Sequence, residues 1–365
     1  MVSILSVGTF RPPNRLTQDL TMEFAKELFS ESFSDINRLL PVFKNGQIDE
    51  RHFAVPIEWF EESHTLQERN DLYIELATEF GVEAIKTCLQ NEAFLKEPIE
   101  EKEIDAIVLV TSSGMSTPSL DARIMNQMSF SPHTKRIPLW GLGCAGGAIG
   151  ISRAFEYARA YPEQNVLVCC IELCSLTFQK NDRSKSNLIG ASLFADGVAC
   201  ALVCGEHSSL TQNAKRPLRP MVTATHSTLM PDSEEIMGWD VKDTGLHVVF
   251  SRDIPSVVEN WFKPNVEGFL HEHGLEIGQI DSFVAHPGGK KVLDAYEASL
   301  SIPTTLTEEA RDVLRMNGNM SSPTVLYVLE ECMKKERQSG DIGLMAALGP
   351  GFCSELVLLK WEGVH

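Results

Sequence analysis

The sequence predicts an α/β protein made of two similar halves. Three observations carry this: apolar strand-like runs alternate with amphipathic helical stretches, the order strand, glycine turn, helix, strand occurs twice, and the two occurrences stay in register. Ile104-Asp105-Ala106-Ile107-Val108 and Ile280-Asp281-Ser282-Phe283-Val284 stand 176 residues apart. The same shift carries Cys144 onto Met320, beside Asn319, and Val166-Leu167-Val168 onto Ile342-Gly343-Leu344. A chain of 365 residues that is 43% hydrophobic has enough apolar material for two such units, packed about a pseudo-two-fold axis with helices covering the sheets. The expected halves are residues 1–215 and 216–365.

The elements follow in order. Met1-Val2-Ser3-Ile4-Leu5-Ser6-Val7-Gly8 lacks a charged stretch followed by a long apolar core, so it reads as a first strand rather than a leader. Arg11-Pro12-Pro13 turns the chain, and Thr17 caps a helix whose apolar face is Leu20, Phe24 and Leu28. A polar, irregular span from Ser30 to Ser63 follows, with Arg38, Lys44 and Arg51 expected on a solvated face. Tyr73, Leu76, Phe80 and Ala84 mark a long helix. Ile104 to Thr111, Val166 to Glu172 and Val198 to Val203 are buried strands. Between the first two lie the apolar run Ile137-Pro138-Leu139-Trp140, the turn Gly141-Leu142-Gly143-Cys144-Ala145-Gly146-Gly147, and a helix with Ile151, Ala154, Phe155 and Ala158 on one face, ended by Pro162.

Cys144 therefore stands at a helix start, where free N–H groups carry partial positive charge; that position predicts a thiol pKa below ~8.5 and a nucleophilic thiolate. Gly141, Gly143 and Gly146 also fit the G-x-G-x-x-G pattern, with Glu172 at a separation that a dinucleotide fold accepts, and a buried structural cysteine fits too. The second half supplies the discriminating context. Asn317-Gly318-Asn319-Met320-Ser321-Ser322-Pro323 opens a helix, with Ser322 as N-cap, Pro323 in the first helical position, Lys334, Lys335 and Arg337 late, and Gly340 beyond. His286-Pro287-Gly288-Gly289 follows a strand of that half. Pseudo-symmetry would bring a Cys, a His and an Asn into one cleft.

Composition excludes several classes. A formal charge of −18 without a polybasic run argues against general nucleic-acid binding. No window approaches the ~18 apolar residues of a membrane span. Nine cysteines, an odd number set mostly in apolar runs, suit a reducing compartment, with the cytoplasm as expected location. Cys169, Cys170, Cys174, Cys200 and Cys204 form no C-x-x-C pair, so they read as core thiols, and no metal is expected.

With these motifs in hand, the chain resembles the type III polyketide synthases, the chalcone and stilbene synthase superfamily. The resemblance spans nearly the whole chain. It rests on Gly143-Cys144-Ala145-Gly146, Leu193-Phe194-Ala195-Asp196-Gly197, Pro231-Asp232-Ser233-Glu234, His286-Pro287-Gly288-Gly289, Gly318-Asn319-Met320-Ser321-Ser322 and Leu348-Gly349-Pro350-Gly351-Phe352. Bacterial members are most similar, in particular the Bacillus alkylpyrone synthases. The resemblance implies a thiolase fold in an αβαβα layering, a homodimer, and iterative condensation of malonyl-CoA units onto an acyl-CoA starter with no cofactor beyond the CoA thioesters. It assigns Cys144 as nucleophile, His286 as its partner, and His286 with Asn319 as the oxyanion hole. It makes Phe194 the gate between CoA tunnel and cavity, Ser112, Cys174, Thr177, Ser321, Gly238 and Trp239 cavity-shaping positions, and Gly349-Pro350-Gly351 a scaffold for the cavity. Val248 replaces a second aromatic of the plant enzymes, and Thr117 stands where their methionine crosses the dimer. For the CoA phosphates the candidates are Arg38, Lys44, Arg51 and Arg252. Fatty acyl starters and alkylpyrone products are the expectation. The alternatives are a single-condensation ketoacyl synthase of the third kind, an NAD-dependent oxidoreductase, and a non-catalytic lipid-binding protein.

Overall fold

A computed structural model describes residues 1–29, 40–251 and 254–363. The first half holds β1 (Val2–Phe10), β2 (Asn14–Thr17), α1 (Gln18–Phe29), α2 (Pro41–Asn45), β3 (Glu50–Phe53), α3 (Leu66–Leu89), β4 (Ala106–Thr111), α4 (Leu120–Met125), β5 (Lys135–Trp140), α5 (Gly146–Ala160), β6 (Asn165–Leu173), α6 (Lys185–Leu193) and β7 (Asp196–Cys204). The second holds β8 (Arg219–Leu229), β9 (Met237–Lys242), β10 (Gly245–Phe250), α7 (Ile254–Val257), α8 (Lys263–Glu272), β11 (Ser282–Ala285), α9 (Lys290–Leu300), α10 (Glu308–Asn317), α11 (Thr324–Lys334), β12 (Ile342–Gly349) and β13 (Cys353–Glu362).

The duplication is visible in the strand order. Five strands of the first half run β5-β4-β6-β7-β1, and four of the second run β11-β12-β13-β8, the same order without a counterpart of β5. Directions repeat as well: β4 and β6 are parallel like β11 and β12, whereas β6–β7 and β7–β1 are antiparallel like β12–β13 and β13–β8. The halves join into one nine-stranded sheet through two residue pairs, Val2 with Val222 and Ser3 with Met221.

Two central helices lie between the halves. α5 touches strands of both, and α11 packs on α5, β1, β7 and β11. The run Thr324–Glu330 of α11 is buried on every side, as a helix apolar all round must be. α5 approaches closely because it carries glycines: a Cβ on Gly147 would sit 2.3 Å from the Ser322 carbonyl oxygen, and one on Gly150 would sit 2.7 Å from Val168. Outside, α3 covers β1, β6 and β7, and its start is fixed by a Thr65–Glu68 capping box. On the other side Phe269 of α8 meets His226 of β8, and Tyr296 of α9 meets Phe283 of β11. The result is an α/β layering of helices, the strands of one half, the central helix pair, the strands of the other half and helices, with the two sets of strands continuous as one sheet.

Several local expectations change. In α1 the buried positions are Gln18, Thr21 and Ala25, with Phe24 half-buried and Leu20 turned outward, because the helix packs on α2 and α6 rather than on the main sheet; the Leu28 side chain lies outside the described residues. The span read as irregular contains α2 and β3, which pairs antiparallel with β2. α11 begins at Thr324 with Pro323 as its cap, because the Ser322 hydroxyl donates to Glu172 instead of capping the helix.

Candidate active site

The carboxyl ends of β4, β6, β11 and β12 converge where the two glycine turns meet. Cys144 lies on a single turn, Gly143–Ala145, that runs straight into α5. Positive φ at Gly141 (85°) and Gly143 (48°) makes this turn. The Gly143 N–H donates to Ser112 Oγ at 2.9 Å, and a Cβ on Gly143 would meet Pro350 at 2.7 Å. A Cβ on Gly349 would meet Ala145 at 2.6 Å, so the Gly349-Pro350-Gly351 loop is packed directly against the cysteine turn. These contacts also correct the dinucleotide alternative: the second and third glycines of the pattern, Gly143 and Gly146, pack on Pro350, Val110 and Ser322 rather than facing a pyrophosphate.

Asn319 follows α10 after Gly318, whose φ of 70° turns the chain. Its main chain is stitched to the Phe194 segment: Asn319 N–H donates to Leu193 O and Ala195 N–H donates to Asn319 O, both at 2.9 Å. The side-chain amide is held at both ends, Oδ1 accepting from Ser321 N–H at 2.8 Å and Nδ2 donating to Gly288 O at 3.2 Å. Cys144 Sγ lies 3.9 Å from Oδ1 and 4.0 Å from Nδ2. His286, two residues before Gly288, is 2% exposed, and neither ring nitrogen has a hydrogen-bond partner. A fully buried imidazole with both nitrogens free is poised to exchange a proton or donate to a bound substrate.

The electrostatics correct the expectation of a depressed thiol. Burial pushes Cys144 up to about 11, partly opposed by side-chain hydrogen bonds from Ser321 and Asn319. Burial pulls His286 down to about 3. The helix start is present, yet desolvation outweighs it, so the free site holds a neutral thiol and a neutral imidazole.

Sequence reasoning gave Glu172 only the wrong role. It is wholly buried beside the two turns, accepting from Ser322 Oγ at 2.9 Å and from Ser112 N–H at 3.0 Å, and burial raises its carboxyl to about 7. Because this pKa lies above the ordinary 4.5, the folded state holds the proton more tightly than the unfolded chain does. The associated stability is complete below pH 4.5 and is lost as pH rises to about 7. Glu172→Gln is therefore expected to gain stability relative to wild type across that window, by on the order of 3 kcal/mol, and to keep the gain above it. Urea midpoints at pH 5 and pH 8 check this; an equal difference at both would contradict it.

A pocket with about 650 Å3 of atom-free space, its mouth open to solvent included, lies beside the gate, lined among others by Phe24, Phe53, Phe60, Cys174, Thr177 and Val248. Ser112 and Ser321 sit at the cysteine instead, Ser112 through Gly143 and Ser321 through Asn319. Gly238 and Trp239 lie on β9, where Trp239 pairs with Val248 and its ring centre is 6.3 Å from that of Phe194; a Cβ on Gly238 would meet nothing. Thr117 is exposed on the outer surface, away from this cavity. Helix α6 separates the cavity from a second cleft of about 840 Å3: Ile189 and Leu193 face the cleft, and Gly190, Ala191 and Phe194 face the cavity.

Of the four basic candidates, Arg51 is a correction. It is fully buried, Nη1 donating to Ala191 O (2.7 Å) and Phe194 O (2.8 Å), so it braces the gate segment and cannot reach a phosphate in solvent. Lys44 is exposed on a cleft that it shares with Lys290, Arg311 and Arg315. Arg38 and Arg252 lie outside the described residues. Lys290 and Lys291 were missed, although they directly follow Gly288-Gly289 in the sequence.

Comparison with known proteins agrees with this architecture. Residues 1–207 match the N-terminal domain of the chalcone and stilbene synthases, and residues 221–362 match their C-terminal domain. A Bacillus subtilis (strain 168) protein named "Putative chalcone synthase" is 50% identical over 99% of both chains. The Mycobacterium tuberculosis (strain ATCC 25618 / H37Rv) protein named "Alpha-pyrone synthesis polyketide synthase-like Pks18" is 31% identical over 97% of this chain and 89% of its own. The crystal structure of 1,3,6,8-tetrahydroxynaphthalene synthase from Streptomyces coelicolor A3(2), a bacterial type III polyketide synthase, superposes with a TM-score of 0.89 at 28% identity, covering 99% of this chain and all of that one. Two matching domains that together span the chain, and a duplicated sheet with a cysteine turn in one half facing an asparagine turn in the other, establish that this chain belongs to the chalcone and stilbene synthase family, the type III polyketide synthases.

Proposed function

We propose that the protein condenses a fatty acyl-CoA starter with malonyl-CoA units and releases alkylpyrones. The observation that carries this reading is the apolar cavity at the gate, whose walls hold five phenylalanines, Phe194 among them, and no charged side chain. An acyl chain gains ~0.8 kcal/mol per CH2 buried in such a space. The pyrone product is supported by the likeness to a relative named for alpha-pyrone synthesis.

The residues divide the work as follows. CoA phosphates dock at Lys44, on a cleft whose other cations, Lys290, Arg311 and Arg315, are paired with carboxylates, and the thioester arm follows the cleft along Gly288 and Gly289 toward Asn319. Cys144 passes its proton to His286 and takes the acyl group, and the displaced CoA thiolate takes that proton from His286, which returns to its neutral form. Loss of CO2 from the malonyl thioester leaves an enolate whose oxygen is stabilised by N–H donors of neutral His286 and Asn319. The enolate carbon attacks the Cys144 thioester, forming the new C–C bond and freeing the sulfur for the next cycle. Incubation with malonyl-CoA and a panel of acyl-CoAs from hexanoyl to palmitoyl, with aromatic esters in competition, tests the assignment by mass spectrometry. Medium or long alkyl starters giving pyrones are expected; preference for an aromatic ester would overturn it.

The working unit proposed is a homodimer in the cytoplasm. β5 is an edge strand of the sheet, and Met115 (39% exposed) and Trp140 (50% exposed) stand uncovered near the Thr117 loop. Light scattering at micromolar concentration should give twice the chain mass; a stable, active monomer would remove the role of Thr117.

A further inference from the structure

Helix α6, which carries the gate, ends on carbonyls that each have a donor. Gly190 O accepts from Phe194 N–H at 2.8 Å, within the helix's own ladder. The next three are served by remote segments, because the last carbonyls of a helix have no intrahelical partner. Ala191 O accepts from Arg51 Nη1 at 2.7 Å, Ser192 O from Gln18 Nε2 at 3.4 Å, and Leu193 O from Asn319 N–H at 2.9 Å. Arg51 Nη1 donates a second time, to Phe194 O at 2.8 Å, while Nη2 donates to Gln18 Oε1 at 3.2 Å. The arm of the same side chain lies against the asparagine turn: a Cβ on Gly318 would sit 2.8 Å from both Cγ and Cδ of Arg51. One residue therefore touches the end of α6, the Phe194 carbonyl and the turn that presents Asn319.

Burying a cation to cap a helix is costly. Desolvation lowers the Arg51 pKa to about 9, which leaves the group charged at neutral pH. Asp196, whose charge opposes that shift, accepts from Ala54 N–H and Ser175 N–H, both at 2.6 Å, and not from the guanidinium. An apolar side chain of similar volume would fill the space at lower cost, so what the cation adds is geometry. Its charge suits the negative end of α6, and its planar fork fixes Nη1 between two carbonyls while Nη2 reaches Gln18. We propose that Arg51 is a positioning residue for the condensation, holding the gate Phe194 and the Asn319 amide at one fixed spacing through the end of α6 and the Gly318 turn. The inference rests on the oxyanion role given to Asn319.

Arg51→Met keeps an unbranched arm and removes every donor. It should lower kcat for malonyl-CoA decarboxylation by about 10- to 100-fold, the cost of a small displacement of an aimed donor, with KM held within about twofold. Arg51→Lys should recover part of that loss, because an ammonium still serves one carbonyl. The decisive measurement is the double variant of Arg51→Met with Asn319→Ala. It should be no slower than Asn319→Ala alone, since a residue that acts through Asn319 then has nothing left to position. A general loss of packing would instead add to the Asn319→Ala effect. Rates are scaled to folded protein by circular dichroism, and if Arg51→Met does not fold, Arg51→Lys takes its place in the cycle and is compared with wild type. Unchanged decarboxylation in the variant carried through the cycle, an additive double variant, a loss confined to KM, or an Arg51→Lys no faster than Arg51→Met would each overturn the proposal. An Asn319→Ala that still decarboxylates at the wild-type rate would remove it together with the role of Asn319, which sets that failure apart from one at Arg51 alone.

Discussion

Cys144→Ala is expected to lower chain extension by ~10^4 or more, because no acyl group can then be held, while leaving CO2 release from malonyl-CoA within a few fold of wild type. The reason is geometric. The Asn319 amide is fixed by Gly288 O and Ser321 N–H, not by the thiol, whose sulfur lies 3.9–4.0 Å away, so the donors survive its removal. His286→Ala and Asn319→Ala should each lower decarboxylation by ~10^2–10^3, the cost of removing one donor aimed at a developing oxyanion. Extension should fall with it. Labelled CO2 release from malonyl-CoA separates the two activities. A dead decarboxylase in Cys144→Ala together with robust release in Asn319→Ala would reverse the roles assigned to these side chains.

Much of this arrangement is legible in the sequence, and the parts that are not share a cause. The repeat can be read because strand, glycine turn and helix are local patterns, and the same backbone problem is solved at Gly143 and at Gly318 with positive φ. That is why the meeting of Cys144 and Asn319 follows from a register of 176 residues. Burial is not local. Asp49-Glu50-Arg51-His52 reads as polar surface, yet Arg51 is wholly buried because its partners, Ala191, Phe194 and Gln18, come from remote segments. The Cys144 thiol fails in the same way: the helix start is visible in the sequence, whereas the desolvation that raises its pKa depends on the second half closing over it. Glu172 closes an apolar run and resembles a ribose ligand until Ser322, 150 residues away, is found bonded to it.

The second large effect expected is a change of starter. Cys174, 3% exposed, lines the cavity together with Phe194, so Cys174→Trp replaces a small thiol with an indole that occupies acyl space. Each CH2 that no longer fits forfeits ~0.8 kcal/mol, about fourfold in kcat/KM, so a tunnel shortened by four carbons should cost a palmitoyl starter about two orders of magnitude relative to a short one. Val248→Phe tests the same wall from β10, where the side chain is half-buried and an added ring strains the fold less than in the core. Both variants should still decarboxylate malonyl-CoA, because neither position touches Asn319 or His286. Competition between hexanoyl-CoA and palmitoyl-CoA, scored as the ratio of products, reads the shift independently of how much active protein is recovered. An unchanged ratio in both variants, with decarboxylation intact, would place the acyl chain elsewhere and remove the basis for fatty acyl selectivity.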